Sequence, residues 1–183
     1  MTRKRLSGRF IVAAMLQLSA LSGCGYQQSG VNNGNVTTGY QWRSLYREDI
    51  KTIAVPVFVN RTYQRGLETS LSRAVVEEIE THTPYKVVPK ERADTILEGE
   101  IVSAKLATLG IDPQTALPQE QEYDVQVSFT WKNLRTGQIM VQRRNFDEKS
   151  TYYPTLGEDQ SVGSLDAVEK LALSIVQELQ ADW

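Results

Sequence analysis

From Tyr123 to Lys132 the chain alternates without a break. Tyr123, Val125, Val127, Phe129 and Trp131 are apolar, and Asp124, Gln126, Ser128, Thr130 and Lys132 between them are polar. Successive strand residues point to opposite faces, so this run predicts a strand with one buried face and one wet face. Asn133-Leu134-Arg135-Thr136-Gly137 then reads as a hairpin loop, with Gly137 able to take a positive φ. Gln138 to about Lys149 pairs back against the first strand. An antiparallel hairpin with one apolar face needs something to cover it, and the rest of the domain must supply that cover.

Two amphipathic helices can do so. From about Tyr63 to His82, Leu67, Leu71, Val75 and Ile79 recur every four residues beside Ala74, opposite Glu68, Arg73, Glu77, Glu78 and Glu80. Thr83-Pro84 ends this helix, because the residue before a proline avoids the α region. The second helix, from about Ser161 to Ala181, carries Leu165, Val168, Leu171, Ala172, Ile175 and Leu179 on its apolar side. Ahead of the first helix, Ile50 to Val59 is rich in β-branched residues and reads as a strand buried on both faces, with Pro56 at its exit or turned away from a partner. Tyr85 to Val88 and Asp94 to Ala104 read as two more strands. Residues 107–121 and 150–160 read as loops. The predicted order is β-α-β-β-β-β-α. This is an α/β (α+β) two-layer sandwich with a mixed sheet of four to five strands and both helices on one face. The first strand–helix–strand unit is expected to be a parallel crossover, and the later strands an antiparallel meander.

The N-terminus sets the compartment. Arg3, Lys4, Arg5 and Arg9 precede the apolar run Phe10 to Leu21, which suits a secretory signal and is short of the ~20 residues a spanning helix needs. Leu21-Ser22-Gly23-Cys24 has the form of a bacterial lipobox, with residues 1–23 as signal and Cys24 as the lipid-bearing first residue. A thiol forms a thioether to diacylglycerol, the new amino terminus takes a further acyl chain such as palmitate, and several chains together exceed the one-chain limit on stable anchoring. Residues 24–45, rich in Gly, Asn, Ser, Thr and Gln, read as a flexible tether reaching a few nanometres, and residues 46–183 as one domain. The signal takes four of the 20 basic residues and none of the 22 acidic ones, leaving the mature chain at −6. That balance argues against nucleic-acid binding. With the single cysteine acylated, neither a disulfide nor a thiolate metal site is available, and no cofactor is expected beyond the covalent lipid on Cys24.

A search for catalytic chemistry finds none. There is no Gly-x-Ser-x-Gly, Ser-x-x-Lys, P-loop or Gly-x-Gly-x-x-Gly pattern. The only histidine, His82, sits at a helix end, where the dipole favours a cation. Glu77, Glu78 and Glu80 read as a solvated helix face, and the chain is not expected to be an enzyme. Lys132 and Arg135 at the hairpin tip, with Arg143 and Arg144 on the returning strand, are the candidate contacts for a lipid headgroup or another anionic partner, because guanidinium groups match phosphate through two parallel donors.

Several stretches together resemble the lipopolysaccharide (LPS)-assembly lipoprotein family, in a form similar to homologues from planctomycete-like bacteria. They are Cys24-Gly25-Tyr26, Lys51 to Phe58 followed by Asn60-Arg61-Thr62, Ala93 to Gly99, the hairpin Phe129 to Gly137, and the C-terminal helix. The resemblance implies an outer-membrane lipoprotein, anchored by lipid and facing the periplasm. It implies a domain that plugs the lumen of the β-barrel LPS translocon, supports assembly of that barrel, and binds LPS. The chain departs from the family in its long Asn/Gly tether and in lacking a polybasic patch. The β-α-β beginning is also similar to periplasmic lipoproteins that activate a peptidoglycan synthase or form part of a secretion channel. That is the alternative function.

Overall fold

A computed structural model describes residues 45–180. The signal segment, Cys24, the tether up to residue 44 and the last three residues lie outside the described residues. Strands β1 (Thr52–Ala54), β2 (Val59–Asn60), β3 (Lys86–Val87), β4 (Thr95–Ile111), β5 (Pro118–Asn133) and β6 (Ile139–Tyr152) form one sheet. Helix α1 (Leu67–His82) follows β2, and α2 (Gln160–Gln177) follows β6. The path across the sheet is β3-β1-β4-β5-β6, and β2 also pairs with β4. β1 runs parallel to β3 and β4, and β4-β5-β6 is the antiparallel meander. The α+β class and the mixed sheet hold; the strand count is six rather than four to five.

The extra strand comes from Pro56. The expected strand at 50–59 is two short ones, β1 and β2, placed one after the other along the same edge of β4. Proline offers no N–H to the ladder, and pairing ends at Ala54, two residues ahead of it. The Phe58 N–H turns instead to Ser72 Oγ of α1 at 2.9 Å, and its ring is buried. Val57 stands 64% exposed, so this stretch is not covered on both faces. Asn60 then shapes the exit. Its Oδ1 accepts from the Thr62 N–H at 2.8 Å, and its Nδ2 donates to Gln64 O and Glu68 Oε2, both at 2.7 Å. Residues 63–66 are held in this turn, which is why α1 begins at Leu67 and not at Tyr63.

The alternating run is the floor of the core. Tyr123, Val125, Val127, Phe129 and Trp131 are buried with Leu67, Leu71, Val75 and Ile79 of α1 and with Val168, Leu171, Ala172 and Ile175 of α2. Asp159 caps α2 by accepting from the Ser161 and Val162 N–H groups. Leu165 is an exception to the expected buried stripe: it is 55% exposed, and Ala167 and Val176 take buried positions on that helix.

One of the expected loops is mostly strand, and the other begins as strand. β4 continues to Ile111 and β5 starts at Pro118, so residues 107–121 contain only a short turn, Asp112 to Leu117. Asp112 Oδ1 accepts from the Gln114 and Thr115 N–H groups at 2.7 and 3.0 Å, and Asp112 N–H donates to Leu117 O at 2.9 Å. β6 likewise runs on to Tyr152, pairing with Gln121. Neither extension has strong local strand signals; cross-strand pairing makes them strands.

Gly99 lies where Phe58 folds over β4. A Cβ there would overlap Phe58 Cε1 and come within 3.1 Å of Phe129 Cβ. Both rings are buried and cannot swing into solvent. Gly99→Ala is therefore expected to cost about 1–3 kcal/mol by overpacking, read as a lower urea midpoint with an unchanged m value.

Candidate functional site

With both helices on one side, the other side of the sheet is open. It carries the polar half of the alternating run together with Glu98 and Glu100 of β4. A cleft of about 480 Å³ lies here, lined among others by Glu98, Glu100, Ser128, Thr130, Gln142 and Arg144. β6 is irregular beside it. Asn145 has a φ of 53°, the register with β5 shifts between Val127 and Phe129, and Asn145 N–H donates to Ser128 Oγ at 3.4 Å. The two carboxylates are partly neutralised from outside the cleft, Glu98 by Lys90 at 3.7 Å and Glu100 by Arg61 at 3.2 Å.

The four basic residues singled out in the sequence divide into two kinds. Arg135 is fixed at the hairpin tip by the turn that presents it. Asn133 Oδ1 accepts from the Arg135 and Thr136 N–H groups at 2.9 and 3.0 Å, and Gly137, at a φ of 75°, closes the turn as expected. Its guanidinium donates to Asp94 Oδ1 at 2.8 Å. Asp94 is also the acceptor for the Lys51 and Thr52 N–H groups and for Thr52 Oγ1, at 3.2, 3.1 and 2.9 Å. These donors, led by the Thr52 hydroxyl, hold the Asp94 carboxyl below the usual aspartate range. Arg143 reaches Glu178 just beyond α2 at 2.5 Å. Lys132 and Arg144 make no ion pair among the described residues.

The four residues do not form one cluster. Lys132 faces Ile139 across the strands, whereas Arg143 faces Phe129, three residues further along β5; that is roughly 10 Å at about 3.4 Å per residue. Arg143 and Arg144 both line the open cleft with its two carboxylates, and the Arg143 guanidinium is in addition tied to Glu178 at the α2 end. His82 Nε2 lies 3.2 Å from Glu78 Oε2, one turn earlier on α1. Among the described residues no group of three His, Cys, Asp or Glu side chains could hold a metal ion, and no helix is long and apolar enough to cross a membrane.

Sequence reading misses Asp94 and Glu178, which engage half of the basic set. Asp94 carries one signal, since it opens a strand directly after a turn. Glu178 carries none, because its partner is 35 residues away in sequence and only the packing of α2 brings the two together.

Comparison with known proteins places the chain. No curated protein matches it. Among solved structures, the PelC dodecamer from Paraburkholderia phytofirmans is 16% identical with a TM-score of 0.51, over 74% of this chain and 93% of that one. Lipoprotein B from Nitrosomonas europaea is 15% identical with a TM-score of 0.51, over 78% and 91%. Protein CT253 from Chlamydia trachomatis is 9% identical with a TM-score of 0.51, over 69% and 94%. These likenesses establish a shared fold. The family model described as lipopolysaccharide-assembly (LptE) matches residues 50–182, from the core residue Ile50 before β1 to beyond the end of α2. That is the whole folded domain, and the chain belongs to the lipopolysaccharide-assembly family.

Proposed function

We propose that this chain is a lipid-anchored plug and assembly factor of the outer-membrane β-barrel LPS translocon, held at the membrane by Cys24 with its domain facing the periplasm. Family membership across the entire domain carries this reading, since the family consists of non-enzymatic assembly lipoproteins that work with other LPS transport components. The domain's shape is compatible with a lumenal plug. Its core is closed by two helices on one side, and the other side is a broad polar sheet face that can lie against the wet inner wall of a barrel. Crosslinking in the native envelope followed by identification of the attached protein tests it. A large outer-membrane barrel is the expected product. Capture of a penicillin-binding protein instead would favour the alternative, an activator of peptidoglycan synthesis.

In this reading Cys24 decides location and the domain decides what is held. Cys24→Ser is expected to leave the fold unchanged, because the core among the described residues runs from Ile50 to Leu179 with Tyr46 packed against it, all well beyond Cys24. The protein should move from the membrane pellet to the soluble fraction with an unaltered circular dichroism melt. An unfolded product would contradict this.

LPS contact through Lys132, Arg135, Arg143 and Arg144 belongs to the same proposal. Lys132 and Arg144 are the two positions at which a phosphate gains a new partner without displacing a carboxylate. Arg135 and Arg143 must first release Asp94 and Glu178. The expected result is that Lys132→Ala with Arg144→Ala weakens LPS binding about threefold or more at unchanged stability, measured by titration with purified LPS. Arg135→Ala should lower stability as well. Equal binding by the double variant and the parent would remove these residues from the contact.

A further inference from the structure

We propose that the outer edge of β4 from Ser103 to Thr108 is a docking site for an extended, acid-bearing segment of a partner protein, which adds to the sheet as a strand in line with β2. The surface goes beyond the family reading and does not depend on the partner being a barrel.

β4 has two edges, and they are treated differently along its length. One pairs with β5 from Thr95 to Ile111. The other pairs with β1 at Thr95–Ile96 and with β2 at Glu100–Ile101, ending on the bond from Arg61 N–H to Ile101 O at 3.0 Å. Beyond that point the chain turns away at Thr62 to start α1. Among the described residues nothing pairs with the rest of this edge. Ser103 to Thr108 opposes Gln126 to Gln121 in unbroken register, so the stretch is regular strand with a free row of amide and carbonyl groups. Such an edge is a template for another strand.

The side chains around it point to a ligand. A groove of about 480 Å³ runs beside the edge between the β2–α1 turn and β4, lined by Arg61, Thr62, Tyr63, Val102, Ala104 and Lys105 among others. Tyr63 is fully exposed, and Leu106, Leu109 and Ile111 further along β4 are 44%, 53% and 61% exposed. The charged groups in the groove lining are both basic. Arg61 is paired with Glu100, whereas Lys105 has no ion pair among the described residues. Asp124, opposite Lys105 across the strands, lies 3.9 Å from Lys149.

This charge chooses the occupant. A second copy docking edge to edge would bring Lys105 and Arg61 against their own counterparts, whereas a strand bearing a carboxylate meets Lys105 with opposite charge. The other long edge, β6, shows what a blunted edge looks like. It carries Arg143, Arg144, Asp147, Glu148 and Lys149 and is bent at Asn145. Ser103 to Thr108 carries one charge and no proline.

The test uses the full lipidated chain in detergent and a synthetic nine-residue peptide alternating valine with threonine and glutamate. Saturable amide shifts by NMR confined to Arg61 and Val102 to Ile111 are expected. Lys105→Glu should weaken binding about two- to fivefold, the effect of one exposed ion pair. It should likewise restore binding to a peptide with lysine in place of glutamate. Shifts spread equally over β6, or no binding at millimolar peptide, would overturn the proposal. So would concentration-dependent shifts of the same amides without peptide, which would mean a second copy. Concentration-independent protection of those amides would mean that the chain's own residues 24–44 cover the edge, and would overturn it too.

Discussion

Trp131→Ala is expected to lower the stability of the domain by about 3–5 kcal/mol, a large part of the ~5–15 kcal/mol available to a protein of this size. Trp131 is 0% exposed and the largest fully buried side chain among the described residues. It stands opposite Leu97 on one side and Val141 on the other, so its loss opens a cavity at the middle of the meander. The Tyr85 ring lies 5.9 Å from it, and Tyr85 in turn meets Tyr46 at 5.7 Å, edge to face. The Arg47 guanidinium sits 6.0 Å from the indole ring. Removing the indole therefore also loosens the segment leading into β1. Urea denaturation should show a much lower midpoint. Trp131→Phe is the informative partner. The indole Nε1 is buried without a hydrogen-bond partner among the described residues, so phenylalanine removes an unsatisfied donor along with part of the ring. Its cost should be well under half that of alanine.

Asp94→Ala is expected to cost about 1.5–3 kcal/mol, the range for a hydrogen-bonded charged group, and to change the response to acid. One carboxylate joins β1, β4 and the β5–β6 turn through Lys51, Thr52 and Arg135. The Asp94 N–H also donates to Thr52 Oγ1 at 2.9 Å, and the Leu134 N–H donates to Asp94 O at 2.9 Å. Those backbone bonds survive the substitution, while the side-chain ones do not. Because the folded pKa is depressed, its contribution is fully present above the unfolded value of roughly 3.9 and is lost as pH falls through the lower folded value. The parent should therefore lose stability on acidification below about pH 4 more steeply than Asp94→Ala. Asp159 and Asp166, depressed by Ser161 and by Lys170 respectively, keep the variant's curve from becoming flat. Coincident curves for the two proteins would show that Asp94 does not anchor the hairpin.

Both residues show where sequence reading reaches and where it stops. Trp131 was legible because strand alternation is a local pattern: ten consecutive residues state which face is dry. The helix stripe Leu67-Leu71-Val75-Ile79 and the Asn133–Gly137 turn were legible for the same reason. Leu165 misled because a helical stripe is wider than the strip that packing covers. The long β4–β5 extension was invisible, since Lys105 to Ile111 has little strand preference of its own and is ordered by pairing with β5. The division of the basic residues was equally hidden. Nothing near Arg135 or Arg143 in the chain announces that each already has a carboxylate, Asp94 at 41 residues' separation and Glu178 at 35.

The sequence alone thus determined the elements whose causes lie within one turn of helix or a few residues of strand. These are the alternating β5, the hairpin and the two helices. Only the tertiary structure decided that Pro56 splits one strand into two along a single edge of β4, which arginines are committed to holding the fold, and which edge is left open. Those outcomes depend on groups distant in sequence meeting across the sheet. A hydrogen bond or an ion pair acts over a few ångströms of space, whatever length of chain lies between its partners.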